Sequence, residues 1–95
     1  MTFVGWWVIN FSQVVDSNAY DMLKKYIHML TTKSLYIKKI SEEGDKIYLS
    51  IFHNGNSPYD TKEINELGGY IKSLSCIDFN NNIVFMSLEY SNINS

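Results

Sequence analysis

The stretch from Phe3 to Phe11 reads FVGWWVINF and sets Trp6 directly beside Trp7. Its β-branched and aromatic residues favour a strand. Successive side chains on a strand point to opposite faces, so these two indoles cannot enter the same core. A chain that carries this strand needs a sheet with two apolar faces, and the second face needs its own explanation.

The remaining segments supply the rest of such a sheet. After SQVVDSN, where Asp16 or Ser17 can cap a helix, apolar residues recur at Met22, Leu23, Tyr26, Ile27 and Leu30. That spacing predicts one helical face, with the helix ending near Thr31 to Lys33. SLYIKKIS and KIYLSIFH flank EEGD and read as a hairpin with a glycine-containing turn. NGNSP is a loop signal, and Asp60 followed by Glu63 resembles a capping box. Ile64, Leu67, Ile71 and Leu74 mark a second helical face. Gly68 and Gly69 interrupt it, and the continuing period predicts a helix that lies close to the sheet at those two positions. NNN at 80–82 is a turn, and IVFMSLEY is a last strand.

The order is therefore β-α-β-β-α-β within an α+β fold. Connection rules make a ferredoxin-like sandwich the most economical arrangement: a four-stranded antiparallel sheet in the order 4-1-3-2, with two helices on one face. Residues 1–90 form a single domain, and 91–95 (SNINS) a frayed polar tail.

Strand alternation assigns the faces. Phe3, Gly5, Trp7, Ile9 and Phe11 form the more continuous apolar set and go inside, with Leu35, Ile37, Ile47, Leu49, Ile51, Val84, Met86 and Leu88. The face without helices then carries Trp6, Val8, Tyr36, Tyr48, Phe52 and Phe85. Aromatic residues are 15% of the 95 residues, more than a core of this size needs. Five aromatic side chains on one face rival the largest apolar patch of an ordinary monomer, so a partner is expected to cover them.

Charge narrows the partner class. The formal net charge is −2, and all eight basic residues are lysine. Without arginine, the chain lacks the preferred side chain for bidentate phosphate capture and for reading guanine edges. Central-strand aromatics on this topology resemble RNA-recognition modules, but KIYLSIFH lacks their glycine-rich basic signature, and nucleic acid is not the expected partner. Glu42, Glu43 and Asp45 crowd the hairpin tip, where they can steer a basic partner. Asp60, Glu63 and Glu66 are explained by the positive end of the second helix.

No catalytic, metal or cofactor residue is assigned. His28 reads as structural, and His53 has no motif partner. Cys76, near Asp78, reads as a buried thiol, and one cysteine gives no disulfide framework. HExxH, CxxC, P-loop, GxGxxG and GxSxG are all absent. The opening MTFVGWWVINF has no basic n-region and too short an apolar run for a membrane span, so a cytoplasmic protein is expected.

These readings converge on a non-catalytic protein-binding domain, of the kind that serves as an immunity protein or antitoxin masking a basic toxin. Trp6, Tyr36, Tyr48, Phe52 and Phe85 would anchor the partner, with Glu42, Glu43 and Asp45 beside them. The alternative is a homodimer that packs sheet to sheet around a small apolar ligand or haem and hosts oxygenase-like chemistry, with His53 the first residue to test.

Overall fold

The computed structural model describes residues 2–55, 60–75 and 84–92. The segments rich in β-formers become β1 (Thr2–Phe11), β2 (Leu35–Glu43), β3 (Lys46–His53) and β4 (Phe85–Ser91). The two periodic segments become α1 (Ser17–Ile27) and α2 (Thr61–Ser75). The strands form one sheet in the order β2-β3-β1-β4, antiparallel at each pairing. Counted from its other edge, this is the expected order 4-1-3-2. Gly44 adopts φ 66° in the turn between β2 and β3, a conformation that the absence of a side chain permits.

Both helices bury their apolar stripes against one face of the sheet. Ala19, Leu23 and Ile27 of α1 and Ile64, Leu67 and Ile71 of α2 share a core with Trp7, Ile9, Leu35, Ile37, Ile47, Leu49 and Ile51. The Asp16 carboxylate caps α1 by accepting from the Ala19 N–H at 2.8 Å, as the sequence suggested. The far end differs from expectation. The helix stops at Ile27, the chain tightens through Met29 N–H to Tyr26 and Leu30 N–H to Ile27, and Thr31 then bridges to Tyr36. Within α1, Met22 and Tyr26 stand 46% exposed beside the buried stripe rather than within it.

The docking of α2 turns on Trp7. Its indole is 8% exposed, and its Nε1–H donates to the Ile64 carbonyl at 3.2 Å. A Cβ at Gly68, one turn further along α2, would collide with the outer ring atoms of Trp7. Gly68 is therefore the close approach that the sequence implied. Gly69 is not: it is exposed and a Cβ there would meet nothing.

At its start, α2 is pinned by Glu63. The capping box forms, with Asp60 N–H donating to Glu63 Oε2 at 3.2 Å and Lys62 N–H to Asp60 Oδ1 at 2.9 Å. The same carboxylate also reaches the chain before β2. It accepts from Thr32 Oγ1 at 2.9 Å, Ser34 N–H at 3.0 Å, and Ser34 Oγ at 2.9 and 2.8 Å to its two oxygens. The hydrogen bonds from Ser34, then Thr32 and the backbone amides, hold its pKa down to about 2.

Three bulges shift the side-chain faces away from simple alternation. Val4 is the extra residue between β1 and β3, so Phe3 aligns with Phe52 on the helix-free face. Phe3 was expected inside, on the assumption of unbroken alternation. Met86 is the extra residue between β4 and β1, so Phe85 aligns with Phe11 and packs against the core with Leu88 and Tyr90. This overturns the expectation for the start of that strand and keeps it beyond the bulge: Phe85 leaves the open face and Val84 and Met86 are 57% and 62% exposed, whereas Leu88 faces the core and Ser87 the open face as expected. Lys38 is the extra residue between β2 and β3. The NNN turn, Ile83, Cys76 and Asp78 lie outside the described residues, as does most of NGNSP. Ser91, assigned above to the tail, closes β4 opposite Trp6, and residues 93–95 also lie outside the described residues.

Two measurements check these contacts. Gly68→Ala should destabilise the fold by ~1–3 kcal/mol through overpacking against Trp7. Gly69→Ala should instead stabilise it by ~0.5–1 kcal/mol through helix propensity, both read from urea melts. The depressed pKa of Glu63 means that its contribution is fully present above the ordinary value of 4.5 and is lost as pH falls towards about 2. The urea midpoint should decline across that window, and Glu63→Gln should flatten the decline.

Candidate functional site: the open face of the sheet

Register fixes what shares the face that the helices leave open. At one end lie Tyr36, Phe52 and Phe3, aligned across β2, β3 and β1. The next row holds Lys39, Ser50, Trp6 and Ser91, and the one after it Ser41, Tyr48, Val8 and Glu89. The last row holds Glu43, Lys46, Asn10 and Ser87, the Asn10 side-chain amide donating to Ser87 Oγ at 3.1 Å.

The aromatic side chains form one connected cluster. Phe3 lies edge-on to Trp6 at 5.4 Å between centroids and to Phe52 at 5.5 Å. Trp6 stands perpendicular to Tyr48 at 6.4 Å, and Tyr36 meets Phe52 at 6.2 Å. Each of these aromatic side chains is half-buried, whereas Val8, set among them, is buried. Three of these contacts are edge-to-face and the Tyr36–Phe52 pair is tilted, so the rings brace one another.

The bulge in β2 adds a cationic flank. Ser50 is 3% exposed and bridges the register break, its Oγ accepting from Lys39 N–H at 2.8 Å and donating to the Lys39 carbonyl at 3.3 Å. The bulge brings Lys38 and Lys39 to the same side, and the Lys38 ammonium rests 4.8 Å from the centre of the Phe52 ring. Between them lies an open groove of about 550 Å³, lined by Phe3, Trp6, Lys38, Lys39, Ser50 and Phe52. Strict alternation would have sent Lys39 to the core face, so the paired lysines were not legible. A polar serine among the apolar residues of KIYLSIFH was the available signal.

The structure therefore brings Trp6, Tyr36, Tyr48 and Phe52 together and leaves Phe85 on the opposite face. The acidic residues are also divided. Glu43 ends β2 on the open face opposite Lys46, whereas Glu42 alternates to the helix side. There, with Asp21, Glu42 adds to the burial that raises the pKa of Tyr20, whose hydroxyl donates to the Ile40 carbonyl at 2.8 Å. Asp45 lies in the turn, its carbonyl accepting from Phe11 N–H at 2.8 Å while the Gly44 carbonyl accepts from Val15 N–H at 3.0 Å. The tip is thus tied to the segment after β1 rather than projecting beside the aromatic cluster.

His28 caps α1 and is exposed. His53 is buried, and its register with Leu35 places it on the helix-covered face, away from the groove. Among the described residues, no three of His, Cys, Asp and Glu are grouped to hold a metal ion, and no helix is long and apolar enough to cross a membrane. No family model, curated protein or solved structure matches this chain.

Ser50→Ala leaves the part-buried Lys39 amide without its side-chain acceptor. It should cost ~1–3 kcal/mol in urea melts and accelerate hydrogen exchange at Lys39, with little change at Val8.

Proposed function

We propose that this chain is a non-catalytic protein-binding domain, built as a ferredoxin-like sandwich, whose open sheet face is the binding surface. The observation that carries this reading is the connected cluster of Phe3, Trp6, Tyr36, Tyr48 and Phe52 on the face without helices. Half-buried aromatic side chains that already brace one another lose little freedom when a partner covers them, and aromatic anchors dominate binding energy. Trp6 and Tyr48 stand on adjacent central strands and form the middle of the surface. An immunity or antitoxin-type role in the cytoplasm is the biological setting we propose for such a domain.

The ionic part of the reading changes from the sequence-based one. Glu42 and Asp45 are set apart from the aromatic cluster, and the charges that flank the groove are Lys38 and Lys39. Electrostatic complementarity then favours an acidic group on the partner next to its apolar contact.

Trp6→Lys tests the proposal. Because Trp6 is off the main core, the variant should keep the wild-type circular dichroism and a cooperative melt. It should weaken binding at this face by at least ~30-fold, the loss that a hot-spot residue produces. A variant that unfolds would make Trp6 a core residue, and unchanged binding of a partner would remove the face from the interface.

A further inference from the structure

We propose that a second groove, between α2 and the outer edge of β4, takes a short extended peptide that adds a strand to β4 and sets an acidic side chain on Lys72. This groove measures about 430 Å³ and lies beside α2, apart from the aromatic face. Asn65, Gly68, Gly69 and Lys72 form one lip. Their spacing of three and four residues places them on a single face of the helix. The other lip is formed by Phe85, Met86, Ser87 and Leu88, which are consecutive in β4. Ser87 faces the open side, while Phe85 and Leu88 face the core. The groove therefore follows the backbone of β4 rather than either of its faces, and the Trp7 ring supplies an apolar floor.

Gly69 lies inside α2, where a glycine lowers helix stability. The fold does not require it, since a Cβ at that position would meet nothing. Its missing side chain keeps the helix lip low beside the groove. The strand on the other side is an edge: among the described residues, β4 pairs with β1 alone. A strand edge is a template for another chain, and proteins blunt the edges they do not use with charge, lysine above all. β2, the other edge strand, carries Lys38, Lys39, Glu42 and Glu43. β4 carries neither lysine nor proline, and its one charge, Glu89, faces the open side. Both strands have a bulge, so charge is what sets them apart. β4 is thus the edge suited to strand addition, with a helix lip beside it to meet the added side chains.

The lip from Asn65 to Lys72 is ~10 Å long at helical rise, which matches about three residues of an added strand. A segment of that length buries much less than a standard interface, so engagement is weak and reversible. Its side chains turned towards α2 meet Trp7, Phe85 and Leu88, and are therefore apolar. Charge selects what accompanies them. Lys72 is exposed at the C-terminal end of the lip and, among the described residues, has no carboxylate beside its ammonium group. The other polar residues of the lining, Asn65 and Ser87, are neutral. The cation is unopposed there and favours an aspartate or glutamate on the peptide.

Selection of a random octapeptide library displayed on phage against the full chain tests this. Enriched peptides should alternate apolar side chains and carry an aspartate or glutamate. Made synthetically with an amidated C-terminus, they should bind by fluorescence anisotropy and slow hydrogen exchange in β4. Gly69→Leu fills the groove from an exposed position, so it should keep a cooperative urea melt and raise the Kd roughly tenfold or more. Lys72→Glu should weaken the same peptides by a similar factor, and exchanging the peptide acid for lysine should restore binding to that variant. No enrichment overturns the peptide as occupant. Binding that Gly69→Leu leaves intact overturns the groove, and its loss in Trp6→Lys instead assigns those peptides to the open face. Binding without slowed exchange in β4 overturns strand addition. Equal binding after the peptide acid is replaced by glutamine overturns the role of Lys72.

Discussion

The contact between Trp7 and α2 is the constraint on which the rest of this structure depends. The indole ring occupies the space that a side chain at Gly68 would fill, and its N–H reaches the Ile64 carbonyl one turn earlier. Ring and hydrogen bond together fix both the depth and the axial position of the helix on the sheet. With α2 seated there, Leu67 and Ile71 are fully buried, and Glu63 is carried to the chain that enters β2. One strand residue thus sets the helix, and the helix in turn holds the entrance to the edge strand. Because Trp7 faces inward, Trp6 has to face outward. The geometry of the core therefore creates the aromatic surface on the other side.

That surface owes its composition to bulges as much as to alternation. A single extra residue reverses the facing of everything beyond it on one strand. Val4 turns Phe3 out to join Trp6 and Phe52, while Met86 turns Phe85 in towards Phe11. The two changes exchange one phenylalanine for another, so the open face keeps its aromatic character although its membership differs. Lys38 has the larger electrostatic consequence. It places two ammonium groups beside the groove in a chain whose net charge is −2, and Ser50 stabilises that irregularity by bonding to both backbone groups of Lys39. Net charge therefore gives a poor account of what a ligand or partner meets at this face. The local sign is positive beside the groove, at Lys38 and Lys39, and negative at Glu89 on β4 and Glu43 at the far end of β2.

Much of the fold was legible because its signals are local. The β3 segment KIYLSIFH matches the observed strand end to end, and the Asp16 and Asp60–Glu63 caps lie where their side chains predict. Other features were less legible, because they depend on what lies across the fold. The early end of α1 follows from Thr31 pairing with Tyr36, a strand-side demand that the apolar period through Leu30 does not announce. Glu63 looked like a helix-start acid only, and its bonds to Thr32 and Ser34 span about thirty residues of sequence. The hairpin acids looked like one cluster, yet a strand sends Glu42 and Glu43 to opposite faces.

By itself, the sequence determined the order of strands and helices, the opposition of Trp6 to Trp7, and the presence of an aromatic second face. Each of these depends on period, caps and turn residues, which act between near neighbours in the chain. Only the tertiary structure decided which phenylalanines belong to that face, where its charges lie, and why one glycine of the pair in α2 is needed and the other is not. A bulge is set by the register between two strands, and a close approach by the side chain on the opposite element. Neither quantity exists until distant segments are in contact.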